Sequence, residues 1–193
     1  GGRVPGRRGP TARKTGEIDG GLAKRLGIGG FEWELEDLAC RILEPVAVGD
    51  VQQQVASKRS DREERLGVTV QLLRDKLASV GLANCEVSGR PNHLYGIWIK
   101  MERQQTAFHE IYDVAALRII CPNLESCYRA LAVVRDTFRP IPGRFKDYIG
   151  LPKPDGYQSL HTAGIGRHRP IEVQSRTAEM HRVAEFGIAA HWK

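Results

Sequence analysis

Residues 170–176 read Pro-Ile-Glu-Val-Gln-Ser-Arg, and their alternation sends Ile171, Val173 and Ser175 to one face of a strand and Glu172, Gln174 and Arg176 to the other. Such a strand must lie inside a sheet with one apolar face covered, and a carboxylate in mid-strand among apolar neighbours points at a site. Residues 159–165 form a second strand, joined to it by a short turn through Gly166 in a predicted hairpin. A β-branched strand is expected over 116–121 and a shorter one over 84–88. The order helix, strand, helix, strand, helix, strand, strand, helix predicts an α/β (α+β) chain with a mixed, incompletely parallel sheet between helices.

The helices follow from apolar spacing. One is expected over about 31–43, with Phe31, Leu35, Leu38 and Ile42 on a stripe. Residues 46–59 look like a linker. A second helix is expected over 61–80, with Leu66, Val70, Leu73, Leu77 and Val80 inward and Gly81 ending it. A third, over 92–104, carries His93, Gly96 and Lys100 on one face. Asn123 caps a fourth, over 124–138, with Leu124, Tyr128, Leu131 and Val134 inward. Thr177 opens the last, to Ala190, with Met180, Val183, Gly187 and Ala190 inward. Residues 1–21 are Gly-rich and basic, cannot offset the entropy of ordering, and are expected to be disordered.

The formal charge is +6, and residues 1–20 carry +3 of it. The remaining excess suits anionic small molecules, and no direct contact with nucleic acid is expected. An RNA-binding reading rests on the tail alone and predicts salt dependence that vanishes without residues 1–21. No apolar run reaches the length of a membrane span. Cys40, Cys85, Cys121 and Cys127 have no C-x-x-C pairing and read as reduced structural thiols.

Residues 143–162, Gly-Arg-Phe-Lys-Asp-Tyr-Ile-Gly-Leu-Pro-Lys-Pro-Asp-Gly-Tyr-Gln-Ser-Leu-His-Thr, concentrate the chemistry. Arg144, Lys146 and Lys153 offer charge-assisted bonds to phosphate oxygens, Tyr157 offers a flat face to a base, and His161 is a switchable donor. A plain basic loop between strands is the competing reading. Residue order decides against it, because this stretch and three further blocks, 89–101, 111–120 and 170–193, closely resemble in register the synthetase domain of the long-form RelA/SpoT family, enzymes that make the alarmones ppGpp and pppGpp.

That resemblance implies a nucleotidyltransferase-like mixed sheet and transfer of pyrophosphate from ATP to the 3′-hydroxyl of GDP or GTP, with Mg²⁺ as cofactor, in the stringent response. It implies Asp113 and Glu172 as metal ligands, with Glu172 near the attacking hydroxyl. Catalytic roles extend to Arg144 and Lys146. It implies Arg90 stacked on adenine, Lys100, Arg118, Arg144 and Lys146 at the ATP phosphates, Tyr157 stacked on guanine, and Lys153, His161 and Gln174 around the acceptor nucleotide. Residues 22–59 resemble the end of the family's hydrolase domain plus a linker, leaving 60–193 as the synthetase domain; the hydrolase His-Asp motif is absent, so no alarmone hydrolysis is expected. The basic Arg-Phe-Lys-Asp tetrad, 144–147, resembles that of bifunctional members, and regulatory regions of a longer parent chain are expected partners. A cytoplasmic location is expected, or a chloroplast stroma if the tail is a processed transit segment.

Departures stand beside the match. Asn92 replaces a usual lysine, Gly96 a usual serine, Ile99 a commonly polar residue and Asp155 a usual asparagine. Losing one charge-assisted phosphate contact costs about 1.5–3 kcal/mol. A catalytically weakened or silent guanine-nucleotide-binding regulatory module is therefore the alternative to an active enzyme.

Overall fold

The computed structural model describes residues 29–90, 93–167 and 169–187, the first five by backbone only. Its elements are α1 (Gly29–Leu43), α2 (Pro45–Ser79), β1 (Glu86–Gly89), α3 (Leu94–Gln104), α4 (Phe108–Tyr112), β2 (Ala115–Cys121), α5 (Leu124–Thr137), β3 (Arg139–Pro140), β4 (Lys146–Asp147), β5 (Leu160–Gly166), β6 (Arg169–Thr177) and α6 (Ala178–Phe186). The expected disorder of 1–21, Asn92, Ala190 and the side chain of Phe31 lie outside the described residues.

The strands form one mixed sheet in the order β1-β2-β6-β5-β3, with β4 also paired to β5. Among the described residues only β2 and β6 run parallel, with Ala116 opposite Glu172 and Arg118 opposite Gln174. β5 and β6 make the expected hairpin, with His161 opposite Gln174 and Ala163 opposite Glu172. Alternation therefore gives the sheet two chemically different faces.

One face is the core. Val87, Leu117, Ile119, Leu160, Ile171 and Val173 meet Leu73 and Leu77 of α2 and Cys127, Ala130 and Val134 of α5. The edge strand β1 is tied to α2 by Arg74 Nη2, which donates to Val87 O at 2.8 Å. A Cβ at Gly89 would run into the Leu66 side chain, so glycine there lets the strand end lie against α2. The second face carries the polar alternates, and α6 packs across β2 and β6 on this side.

Several expectations need correction. The supposed linker 46–59 is the first part of α2. Pro45 sits in its first turn, where its missing N–H costs nothing, and a Gln- and Lys-containing stretch is as good a helix former as a solvated linker. Val51 anchors it against Ile97, Phe108 and Tyr112 in a second apolar cluster. In α5 the inward face is Cys127, Ala130 and Val134, whereas Leu124 and Tyr128 are exposed. Val80 lies just past the end of α2 and is exposed, and in α1, Leu38 and Ile42 are exposed while Ala39 and Cys40 are buried. α6 ends at Phe186 rather than running through Gly187, and α4 had no recognisable sequence period at five residues. All four cysteines are free and buried.

Candidate active site

Three adjacent strands build a polar row on the second sheet face: Arg118 from β2, Gln174 from β6 and His161 from β5 stand side by side in register. One pair further along, Glu172 is flanked by Ala116 and Ala163. The two small neighbours leave space around the carboxylate. Arg90 follows β1, and its backbone N–H donates to Ala116 O at 2.8 Å, which fixes it beside this row.

A cavity of about 390 Å³ opens over Arg118 and Glu172, with Arg90, Gly96, Lys100 and Glu185 among its other lining residues. α3 forms one wall. Its first turn is secured by Asp37 of α1, whose Oδ1 accepts from Tyr95 N at 2.8 Å, satisfying a donor that a helix start leaves open. α6 forms another wall with His181, Arg182 and Glu185. Thr177 caps α6 by accepting from Met180 N.

The electrostatics of this face are unbalanced. Nε of Arg90, of Arg118 and of Arg176 are each buried without a hydrogen-bond partner, as are Arg176 Nη1 and His181 Nδ1. Arg176 is only 2% exposed; burial pushes its guanidinium down to about 10, and Arg118 and Arg90 add to the shift. Arg90 is lowered for the same first reason, burial. The nearby carboxylates are Glu185, 3.6 Å from Arg118 Nη2, and Glu172, 3.1 Å from Arg144 Nη2. Buried cations short of partners are costly, so this face is suited to a multiply charged anion.

Beside the cavity a turn presents an aromatic. Lys153 N donates to Tyr157 O at 3.1 Å and Gly156 N to Lys153 O at 2.9 Å. Gly156 has φ +80°, a left-handed conformation that glycine adopts without strain. Asp155 Oδ1 accepts from Tyr157 N at 3.0 Å, so the carboxylate takes a turn-forming role open equally to asparagine. Tyr157 Oη lies 2.7 Å from His161 Nε2. Lys153 Nζ stands 5.1 Å and the Arg176 guanidinium 5.7 Å from the Tyr157 ring centre. Burial, aided by Arg90, Lys153 and Arg176, pushes His161 down to about 4, so its ring is neutral near pH 7.

The loop before this turn is folded by Asp147. Its Oδ1 accepts from the backbone N–H of Ile149 and Gly150 at 2.9 and 2.8 Å, and its Oδ2 from Tyr128 Oη at 3.0 Å. That anchoring places Lys146 opposite His161 in the β4–β5 ladder. Arg144 reaches Glu172 across the same edge.

Arg90, Lys100, Arg118 and Glu172 thus share one cavity. Arg144 touches Glu172, and Lys153, Tyr157 and His161 cluster next to Gln174 through Arg176, whose Nη2 donates to Gln174 Oε1 at 3.2 Å. Asp113 stands apart. It ends α4, its Oδ1 lies 3.7 Å from Arg65 Nη2, and it lines a neighbouring cavity rather than the one around Glu172. Among the described residues no three His, Cys, Asp or Glu side chains gather as a ready metal site. Arg176, His181 and Glu185 were missed from the sequence. Alternation already put Arg176 on the face of Glu172, whereas His181 and Glu185 depend on α6 folding back over the sheet.

Comparisons with known proteins agree with this architecture. The small alarmone synthetase 1 of Bacillus subtilis, solved bound to its product pppGpp, superposes with a TM-score of 0.51 at 24% identity, covering 67% of this chain and 74% of that one. A GTP pyrophosphokinase family protein of Streptococcus pneumoniae gives 0.50 at 22% identity, over 62% and 68%. The fold is therefore that of the alarmone synthetases, a nucleotidyltransferase-like mixed sheet flanked by helices. In sequence, a protein of Synechocystis named a probable guanosine-3′,5′-bis(diphosphate) 3′-pyrophosphohydrolase is 58% identical over 183 residues, 94% of this chain and 24% of the relative. The GTP pyrophosphokinases of Myxococcus xanthus and Escherichia coli K12 are 48% and 43% identical over the same shares. The chain spans about a quarter of the length of these curated relatives. Residues 89–193 match the family described as the region found in RelA / SpoT proteins, and the chain belongs to that family.

Proposed function

We propose that this chain is the synthetase part of a long RelA/SpoT protein and transfers pyrophosphate from ATP to the 3′-hydroxyl of GDP or GTP. The observation that carries the reading is the cavity that Arg90, Lys100 and Arg118 line together with Glu172, an anion site in which Glu185 is the other carboxylate. The names of the sequence relatives support it, since two of them are GTP pyrophosphokinases. Residues 60–193 form the synthetase unit, 22–59 the end of a preceding hydrolase part, and 1–21 a tail.

The chemistry follows from the groups present. The 3′-oxygen of the guanine nucleotide attacks the β-phosphorus of ATP, the bond from that phosphorus to the α-phosphate oxygen breaks, and AMP leaves. Glu172 is the carboxylate placed to accept the hydroxyl proton once the ATP phosphates draw Arg144 from it. Arg144 and Lys146, both exposed, the first beside Glu172 and the second opposite His161, then hold the transferring group. Arg90, Lys100 and Arg118 hold the ATP side, and Tyr157 with Lys153, His161 and Gln174 the guanine nucleotide. Two carboxylates with substrate phosphates form a donor set that suits Mg²⁺, which prefers hard oxygen and few protein ligands. Glu172 would hold the ion, which when bound neutralises charge on the phosphate oxygens, and Asp113 would join it on leaving Arg65 in the neighbouring cavity.

A thin-layer assay tests this. With labelled ATP, Mg²⁺ and GDP or GTP, label should reach the guanosine 3′ position, and the Asp113→Ala and Glu172→Ala proteins should each lose it by about 100-fold or more. Guanine nucleotide binding without product in the parent would instead identify a silent regulatory module, with Asn92 and Asp155 the first residues to revert.

A further inference from the structure

A second cavity, of about 340 Å³, lies on the helical side of the sheet, walled by α2, the end of α5 and the β5–β6 hairpin. Val114 lines both this cavity and the one around Glu172, so the two sit back to back across the start of β2. The floor is apolar, made by Leu66, Leu72, Phe138 and Ile171. Its rim carries four guanidinium groups, Arg62, Arg65, Arg167 and Arg169, against a single carboxylate, Asp113. Arg62 is partly satisfied by the Tyr112 ring at 5.0 Å, yet its Nη2 is cut off from solvent with no acceptor. Arg65 has only a loose contact with Asp113, 3.7 Å between exposed groups. Arg167 holds a left-handed φ of +47° at the hairpin tip, a conformation unusual for a residue with a Cβ.

An apolar floor under a ring of forked donors is complementary to one kind of molecule. The geometry points to a second ligand site for a small amphipathic anion, an apolar or aromatic body bearing a phosphate or carboxylate, whose oxyanion engages Arg62, Arg65 and Arg167. Guanidinium pairs such groups bidentately, and the volume falls within the range of small-molecule sites. Its occupant competes with Asp113 for Arg65. Occupancy therefore frees Asp113, and on the reading of Asp113 as a metal ligand it favours metal binding at the catalytic cavity next door.

Calorimetric titration with 1-naphthyl phosphate tests the site without reference to activity. One equivalent should bind, and saturating GDP with a non-hydrolysable ATP analogue should not compete. Arg167→Gly, which removes a guanidinium where the backbone already favours glycine, and Arg62→Met should each weaken binding about tenfold, the scale of one charge-assisted contact. Inorganic phosphate should bind at least about tenfold more weakly, since it leaves the floor uncovered. 1-Naphthoate binding as tightly as the phosphate assigns the rim to oxyanions generally, and weaker naphthoate binding assigns it to phosphate. Absence of binding, competition by the nucleotides, unchanged affinity in both variants or equal affinity for inorganic phosphate each overturns the site. In a second measurement, 1-naphthyl phosphate should lower the Mg²⁺ concentration for half-maximal transfer by roughly two- to fivefold, the scale of an exposed ion pair. An unchanged Mg²⁺ requirement with binding intact overturns the coupling through Asp113, whereas loss of the catalytic reading would appear as absence of transfer in the parent.

Discussion

His161 shows how strongly one residue reports its surroundings. Burial, with Arg90, Lys153 and Arg176 close by, holds its pKa at about 4, against roughly 6.5 in the unfolded chain. The folded protein thus binds this proton less tightly than the unfolded one. Stability linked to His161 is fully present above about pH 6.5 and is lost as pH falls toward 4. Urea midpoints measured across that window should drop, and His161→Gln should flatten part of the slope. His93 and His181, both also lowered first by burial, contribute to the remainder. A midpoint independent of pH in the parent would contradict the buried, neutral assignment. A polyanion placed near His161 acts in the opposite sense and raises its pKa, so nucleotide binding between pH 4 and 6.5 should take up protons. Calorimetry in two buffers of different ionisation enthalpy would read this directly.

At the scale of elements, β2 and β6 carry the arrangement, because their parallel pairing sets Arg118 beside Gln174 and Ala116 beside Glu172. Leu117, fully buried between α5 and the sheet, fixes that pairing from behind. Leu117→Ala should cost about 2–5 kcal/mol in urea unfolding. The N-cap of α5 is a smaller, separate contribution: Asn123 Oδ1 accepts from Ser126 N at 2.9 Å, and Asn123→Ala should cost about 1 kcal/mol. Equal losses in the two variants would contradict the view that core burial outweighs capping here. The strands and this cap were legible because alternation and capping are local codes. Residues 46–59 were misread because polarity alone does not separate a solvated helix from a linker, and the contact that decides it, Val51 on Ile97 and Phe108, joins segments more than forty residues apart. The inward face of α5 was misjudged for a related reason. Small Cys127 and Ala130 face the sheet, where close packing leaves no room for Leu124 and Tyr128.

Over the whole molecule, one sheet divides two kinds of chemistry. The core face is apolar, while the opposite face gathers Arg90, Arg118, Arg176 and His161 around few acids. Much of that candidate site could be read in advance, since residue order within 143–162 and the alternation of β6 carry Lys153, Tyr157, His161, Glu172 and Gln174. Glu185 opposite Arg118, Asp113 beside Arg65 and the ring of arginines at the second cavity could not, because each joins residues distant in sequence. An excess of buried cations predicts that the ligand is itself a stabiliser. At about 100 times the dissociation constant, a nucleotide that binds only the folded chain adds about 2.7 kcal/mol and should raise the melting temperature. Arg176→Met, relieved of an unpaired buried charge, should show a smaller nucleotide-induced rise than the parent.

The central claim is attack by the guanosine 3′-oxygen at the face around Glu172, and an acceptor lacking that oxygen tests it most directly. With ATP labelled in its β- and γ-phosphates, GDP should become labelled at the 3′ position while 3′-deoxy-GDP binds and stays unlabelled. Transfer of label to 3′-deoxy-GDP, or transfer to GDP that persists undiminished in Glu172→Gln, would contradict the account.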